Sequence, residues 1–269
     1  PHAVRSDSGR ACVLISSSAS AWLRRSEFFM ITLRVTISAP PFRFRKQAGQ
    51  LLGPREEQED RFFVGRRGTP PTEAWIAVVD GMGGHAAGEV AAQITRDTVK
   101  DGCILPGATP EILLTHAHRA VRKAQVGERA DMGAAGVVVH VHDGRIDVAW
   151  LGDCRASVVT LDGRLKRLTH DHTFRGSVER EGMDGSRKDN TTLLHCIGMR
   201  LGPKESLGLE TSSFPLATVR RLVCTTDGVH DVLSDVELAT ASHLGAQAVL
   251  DAVQEHKERD NATVVILGR

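Results

Sequence analysis

Three short apolar segments of this chain each meet an aspartate where they stop or start. Residues 75–79 (WIAVV) run into Asp80-Gly81, residues 221–226 (RLVCTT) run into Asp227-Gly228, and residues 262–267 (ATVVIL) begin directly after Asp260-Asn261. Each is short for a helix and bounded by turn formers, so each reads as a strand with a carboxylate at its rim. Glu59-Asp60, just before Phe62-Phe63-Val64, repeat the pattern. A single Asp-Gly is an ordinary turn. Several carboxylates brought to one sheet edge are another matter, because they repel one another unless a cation sits among them.

The segments between these strands set the fold class. Residues 86–101 read as a helix, with Val90, Ile94 and Thr98 four apart. A second helix starts after Thr109, a capping residue, with Pro110 at the first helical position and Glu111 at the positive end of the dipole. Its apolar face is Leu113, Ala117, Ala120, Val121 and Ala124. The period then changes to two: Val137, Val139 and Val141, then Ile146, Val148 and Trp150, then residues 155–161 and 164–168. Turns at Asp143-Gly144 and Asp162-Gly163 separate them, which predicts an antiparallel meander. Residues 172–206 are polar and lack a clean period, and are expected to form a long surface loop or flap. Helices are predicted at 234–242 and 244–257. Helices, then strands, then helices and a returning strand make an α+β domain, not a parallel βαβ fold.

Composition narrows the chemistry. The chain has 269 residues, room for one large domain or two small ones, and 34 Lys+Arg against 33 Asp+Glu leave a net charge of +1. A near-neutral chain with no tyrosine and 4% aromatic residues gives no footing for nucleic acid, and no apolar run is long enough for a membrane-spanning helix. The five cysteines form no CxxC and the twelve histidines no HExxH, so a disulfide framework and a zinc cluster are unsupported. A metal here would be held by oxygen, which selects Mg²⁺ or Mn²⁺. Residues 1–52 read differently from the rest. Ala19-Ser20-Ala21 resembles a signal-peptidase site, but four serines dilute the apolar run 11–23. We expect residues 1–29 to be extra sequence, with a start at Met30, and the protein to be cytoplasmic.

Five motifs, in order over residues 53–269, resemble the metal-dependent protein phosphatases, the PPM family also called type 2C, and particularly its bacterial members. They are Arg55-Glu56-Glu57-Gln58-Glu59-Asp60, Asp80-Gly81-Met82-Gly83-Gly84-His85, Leu151-Gly152-Asp153-Cys154-Arg155-Ala156, Thr226-Asp227-Gly228-Val229-His230-Asp231 and Asp260-Asn261-Ala262-Thr263-Val264-Val265. Leu168-Thr169-His170-Asp171-His172-Thr173 follows the third as it does in that family. The resemblance implies a two-sheet antiparallel β-sandwich flanked by helices, in α-β-β-α layers, with the metals in a cleft at one edge. Residues 1–52 would be an extension outside the domain, and 53–269 the phosphatase domain, with a flap near 172–200.

Carried over by position, Asp80 would bridge two Mn²⁺ or Mg²⁺ ions. The Gly81 carbonyl and Glu59 would serve one ion, with Asp60 supporting its waters, and Asp227 and Asp260 the other. Arg55 would fork onto the substrate phosphate. Asp131, with Asp227, would hold a third and weaker ion. Metal-activated water would be the nucleophile, with no covalent phosphoenzyme. Implied partners are a phosphoprotein, drawn from a serine/threonine kinase or its targets. We expect a monomer, with neither nucleic acid nor membrane as partner. The chain departs from the family at Ala134-Ala135, where a Thr-Thr pair is usual, and at Cys154, where serine is usual. At Met82 the relatives that use a histidine as acid carry one; His85 reads as a helix-start residue, and His170 and His172 as residues that order the flap. The competing reading is a catalytically weak, phosphatase-like regulatory binding domain; a metal-dependent nuclease is more distant, given the charge.

Overall fold

A computed structural model describes residues 45–68, 71–82, 87–182, 192–256 and 260–268. The expected start at Met30, the Gly83-Gly84-His85 part of the glycine loop and the middle of the flap lie outside them. Ten strands form two five-stranded antiparallel sheets. Sheet A has the order β1 (Arg45–Leu51), β10 (Ala262–Gly268), β9 (Val219–Thr225), β6 (Arg155–Thr160), β7 (Leu165–Arg167). Sheet B has the order β2 (Arg61–Arg67), β3 (Glu73–Met82), β4 (Gly133–His142), β5 (Arg145–Leu151), β8 (Glu210–Pro215). One apolar cluster lies between them: Ile76, Val78, Val137, Val139 and Trp150 from sheet B meet Ala156, Val158, Leu222, Cys224, Val265 and Leu267 from sheet A. Helices α1 (Ala87–Gly102) and α2 (Pro110–Ala124) cover the outer face of sheet B through Ala91, Val99, Leu113, Leu114 and Val121. Helices α5 (Asp235–Leu244) and α6 (Ala246–Glu255) cover sheet A through Leu238, Val249, Leu250 and Val253. The layers are therefore α-β-β-α, as expected.

Local chemistry explains the boundaries. Thr109 caps α2, its hydroxyl accepting from the Ile112 amide, and Ser234 closes a capping box with Glu237 on α5. The meander is the expectation that changes. β4 and β5 form a hairpin in sheet B, and β6 and β7 one in sheet A, but β5 and β6 do not pair with each other. The chain crosses between the sheets at Gly152, whose φ of +97° favours glycine, and a Cβ there would lie 2.4 Å from that of Ala135. Ahead of residue 53, β1 pairs with β10 along its whole length.

The segment read as a polar flap is more structured than its composition suggests. Thr173 caps a short helix, α3 (Phe174–Arg180). Thr173 also bridges Leu193, and Ile197, fully buried, bridges Ala134 on β4. Residues 183–191 lie outside the described part.

Candidate active site

The strands that carry the acids end along one edge of the sandwich. Asp80 is the eighth residue of β3, Asp60 immediately precedes β2, Asp227 follows β9 and opens the four-residue helix α4 (Asp227–His230), and Asp260 sits two residues before β10. Together with Arg55, Glu59, Gly81, Met82, Ala135, Asp153, Leu193 and Asn261, the residues Asp80, Asp227 and Asp260 line a cleft of about 300 Å³. Asp60 lies behind it, fully buried. Of the residues expected in a site, Arg55, Glu59, Asp80, Gly81, Asp227 and Asp260 come together here, with Asp60 in support. Asp131 does not line the cleft; it is exposed, in the turn ahead of β4.

Each acid is held by its surroundings. The Asp60 carboxylate accepts hydrogen bonds from Thr226 Oγ1 (2.9 Å) and Thr263 Oγ1 (2.6 Å), while its other oxygen, buried, has no partner. Asn261 accepts from the Glu59 amide at 2.8 Å and donates to the Leu52 carbonyl at 2.8 Å, so it fastens the Glu59 segment to the start of β10. Arg55 pairs with Asp260. Backbone approach is very close: a Cβ on Gly81 would lie 2.3 Å from the Gly88 carbonyl oxygen, and one on Gly228 2.0 Å from that of Asn261. Glycine is required at both positions to let these backbone segments approach so closely.

The electrostatics are one-sided. Burial pushes the carboxyls of Asp60, Asp80 and Asp227 above their usual range, and the neighbouring acids push them further. Asp153 goes up to about 8, by burial first and then by the charges of Asp227 and Asp171. One oxygen of Asp227 is also buried without a hydrogen-bond partner. Four carboxylates held this way are costly unless positive charge is supplied. The donors are carboxylates and one peptide carbonyl, the set that suits a hard divalent cation. Among the described residues no three His, Cys, Asp or Glu side chains close into a ready-made metal cage; the acids instead line the cleft. The residues present fit such an ion.

Asp153 is the site residue that sequence reading left without a role. It stands in the Gly-Asp element, but only the crossing at Gly152 shows that this turn faces the cleft. Leu193, an apolar member of the wall, was likewise hidden in the polar 172–206 segment.

The family model described as protein phosphatase 2C matches residues 46–183. The serine/threonine protein phosphatase PstP of Mycobacterium tuberculosis is 26% identical over 225 residues, covering 79% of this chain and 42% of PstP. The serine/threonine phosphatase stp of Listeria monocytogenes is 24% identical over 214 residues, covering 72% of this chain and 84% of that protein. The chain thus spans less than half the length of PstP. Among solved structures, the PstP catalytic domain in complex with two manganese ions superposes with a TM-score of 0.67 at 25% identity, covering 84% of this chain and 97% of that one. Staphylococcus aureus Stp1 gives a TM-score of 0.75 at 18% identity, covering 84% and 95%, a likeness of fold.

Proposed function

The chain belongs to the protein phosphatase 2C family, and on that footing we propose that it is a metal-dependent serine/threonine protein phosphatase, hydrolysing phosphoserine and phosphothreonine monoesters. The observation that carries this reading is the cleft, where Glu59, Asp80, Asp153, Asp227 and Asp260 converge around the Gly81 backbone with Arg55 at the rim. Two Mn²⁺ or Mg²⁺ ions bound there would lower the pKa of water and neutralise phosphate charge. Asp80, which lines the cleft together with Glu59, Asp227 and Asp260, would serve both ions. The Gly81 carbonyl and Glu59 would serve one and Asp227 and Asp260 the other. Asp60 would act from behind, supporting the waters of the first ion, with its orientation held by hydrogen bonds from Thr226 and Thr263. Asp131 is proposed for a third and weaker ion.

Arg55 has the reach and the shape for the substrate. Its guanidinium is half exposed at the cleft rim and can exchange the Asp260 carboxylate for two oxygens of a phosphoryl group. Among the described residues no cysteine lines the cleft, and Cys154 and Cys224 are buried, so chemistry through a thiolate has no support. Substrates on this reading are phosphoproteins, a serine/threonine kinase or its targets among them, met by a monomer in the cytoplasm. Free Cys103, Cys154, Cys196 and Cys224 accord with a reducing compartment, and no helix of the described residues is long and apolar enough to cross a membrane.

The deciding experiment strips metal with EDTA, then follows hydrolysis of p-nitrophenyl phosphate and of a phosphothreonine peptide while Mn²⁺ is added back. Turnover should appear with Mn²⁺ and vanish with chelator. Full turnover without metal would overturn the reading; metal binding without turnover of either substrate would leave a regulatory binding domain.

A further inference from the structure

Helix α3 is joined by charged side chains to both sheets. Ahead of it, Asp171 forms a bidentate pair with Arg155 of β6 in sheet A, at 2.8 and 2.5 Å, with Arg155 buried and Asp171 partly so. The neighbouring His170 carbonyl accepts from Trp150 Nε1 of sheet B at 2.7 Å, and the His172 amide donates to the Gly152 carbonyl at 3.0 Å. Within the helix, Arg175 reaches Asp231, at the end of α4 on the sheet A side, at 3.0 Å. One turn on, Arg180 grips both oxygens of Glu210, on the edge strand β8 of sheet B, at 2.9 and 3.0 Å. The helix therefore spans the open edge between the sheets.

What this span holds in place is part of the cleft. Thr173, the N-cap of α3, bridges Leu193, which lines the cleft beside Asp153 and Asp227. The amide of Leu194 donates to the His172 carbonyl at 2.7 Å and that of Phe174 to the Thr192 carbonyl at 3.2 Å. A shift of α3 is passed to Leu193 through these bonds, while the acids, fixed on their own strands, need not move.

We propose that Arg175 and Arg180 are positioning residues that hold α3 astride the two sheets and so set the Leu193 wall, which decides how well a phosphorylated polypeptide, as opposed to a small aryl phosphate, is received. This rests on the phosphatase reading. Neither arginine lines the cleft or touches the acids that bind the metal, so neither takes part in bond breaking. Arg180 is the cleaner handle because its pair is bidentate and half exposed.

The test uses the full chain with Arg180→Glu, Glu210→Arg and the exchanged pair, and Arg175→Ala as a milder second lesion. Amide exchange at Leu194 and Phe174 is measured on the metal-free protein, and KM and kcat on a phosphothreonine peptide and on p-nitrophenyl phosphate with Mn²⁺. Losing a well-aligned exposed pair should speed exchange at both amides roughly five-fold. KM for the peptide should rise by a similar factor, with aryl phosphate kinetics unchanged. The exchanged pair should restore both. Exchange and peptide KM unchanged in the single variants, or aryl phosphate turnover falling in parallel, would overturn the proposal. If the wild type turned over neither substrate, the phosphatase reading would fall, while the exchange rates would still decide whether the arginines hold the wall.

Discussion

The strands of sheet B carry ionisable groups at both ends, and the two ends are built on opposite principles. At the cleft end, Asp80 on β3 and Asp153 just past β5 face other acids, and burial holds their carboxyls above the usual range. At the far end, the register sets Trp75, His140, Asp147 and Ser213 side by side across β3, β4, β5 and β8, with His142 opposite Arg145 and the Glu73 carboxylate 3.8 Å from His140 Nε2. There each charge meets a complement. Asp147 accepts from His142 Nε2 at 2.8 Å and from Arg145 at 3.2 Å, and Arg145 also donates to Ser213 Oγ at 2.9 Å. Burial raises the Asp147 carboxyl, but the hydrogen bonds from Ser213, His142 and Arg145 outweigh it and its pKa falls. His140 stacks between Trp75 and His142, with ring centroids at 3.8 and 4.0 Å. At this end the charged groups Asp147 and Arg145 are met by neighbouring side chains, although His140 Nε2 and Trp75 Nε1 are buried without a hydrogen-bond partner; at the cleft end the acids require positive charge from outside. That difference, more than the presence of acids, separates a structural cluster from a working one.

The largest expected effect follows from this asymmetry. Asp80→Asn and Asp227→Asn should each lower kcat by on the order of a thousand-fold, about 4 kcal/mol of barrier, because each removes a ligand charge from a site meant for two dications. The same substitutions should raise the melting temperature of the metal-free protein by relieving repulsion. Asp147→Asn, at the far end, should lower it. Melting curves in EDTA that moved the same way for all three would erase the contrast between the two ends.

Arg55→Ala should come next. A charge-assisted contact to phosphate contributes roughly 1.5–3 kcal/mol, so kcat/KM should drop about ten- to a hundred-fold, mostly through KM. Calorimetric Mn²⁺ binding should be kept, since the pairing with Asp260 is lost without removing an acid. Unchanged kinetics would make Arg55 only a surface partner of Asp260.

The acids were legible in the sequence because each stands at a strand boundary, where a turn dipeptide and an apolar run meet. Their convergence was not, since a period of two gives a strand and its faces but not its sheet. Val137 to Leu168 alternates evenly through the turn at Gly152, yet the chain changes sheets there, and Asp153 is carried into the cleft by that crossing. β1 and β8 escaped for another reason: they are edge strands, and RKQAGQL and ETSSFP hold few apolar side chains to mark a buried face. α3 is a single short segment that buries only Gly176 and is held by ion pairs, which leave no periodic trace.

The far end gives a pH dependence of known sign. Burial first, and then the charge of His142, depress His140 to about 4, against the pull of Glu73 and Asp147. A histidine whose folded pKa lies below its unfolded value of 6.5 contributes stability that is full above 6.5 and is lost as pH falls toward 4. His142 is raised and acts in the opposite sense, so the difference between wild type and His140→Gln is the quantity to follow. Denaturant midpoints should diverge less as pH drops from 7 to 4, because only the wild type loses this contribution. A constant gap would show that His140 titrates alike in the folded and unfolded chain.

Asp131 should give the smallest effect, and it tests where the cleft ends. Its carboxylate is exposed and outside the lining, whereas Asp153 lies within it. The usual hydroxyls after Met132-Gly133 are absent: Ala134 and Ala135 pair instead with Gly81 and Asp80 as ordinary residues of the sheet. Nothing in this stretch fixes the Asp131 turn toward the acids. An exposed charge of this kind contributes up to about 1 kcal/mol, so Asp131→Ala should slow turnover by at most roughly five-fold, and only at high Mn²⁺. The two tighter ions should titrate as in the wild type. Asp153→Asn should cost more at every metal concentration, because it changes a carboxyl that Asp227 already faces. If instead Asp131→Ala were the more damaging of the two, a third ion bound outside the described cleft would be essential to turnover, and the boundary drawn here at Asp153 would have to move out to the turn before β4.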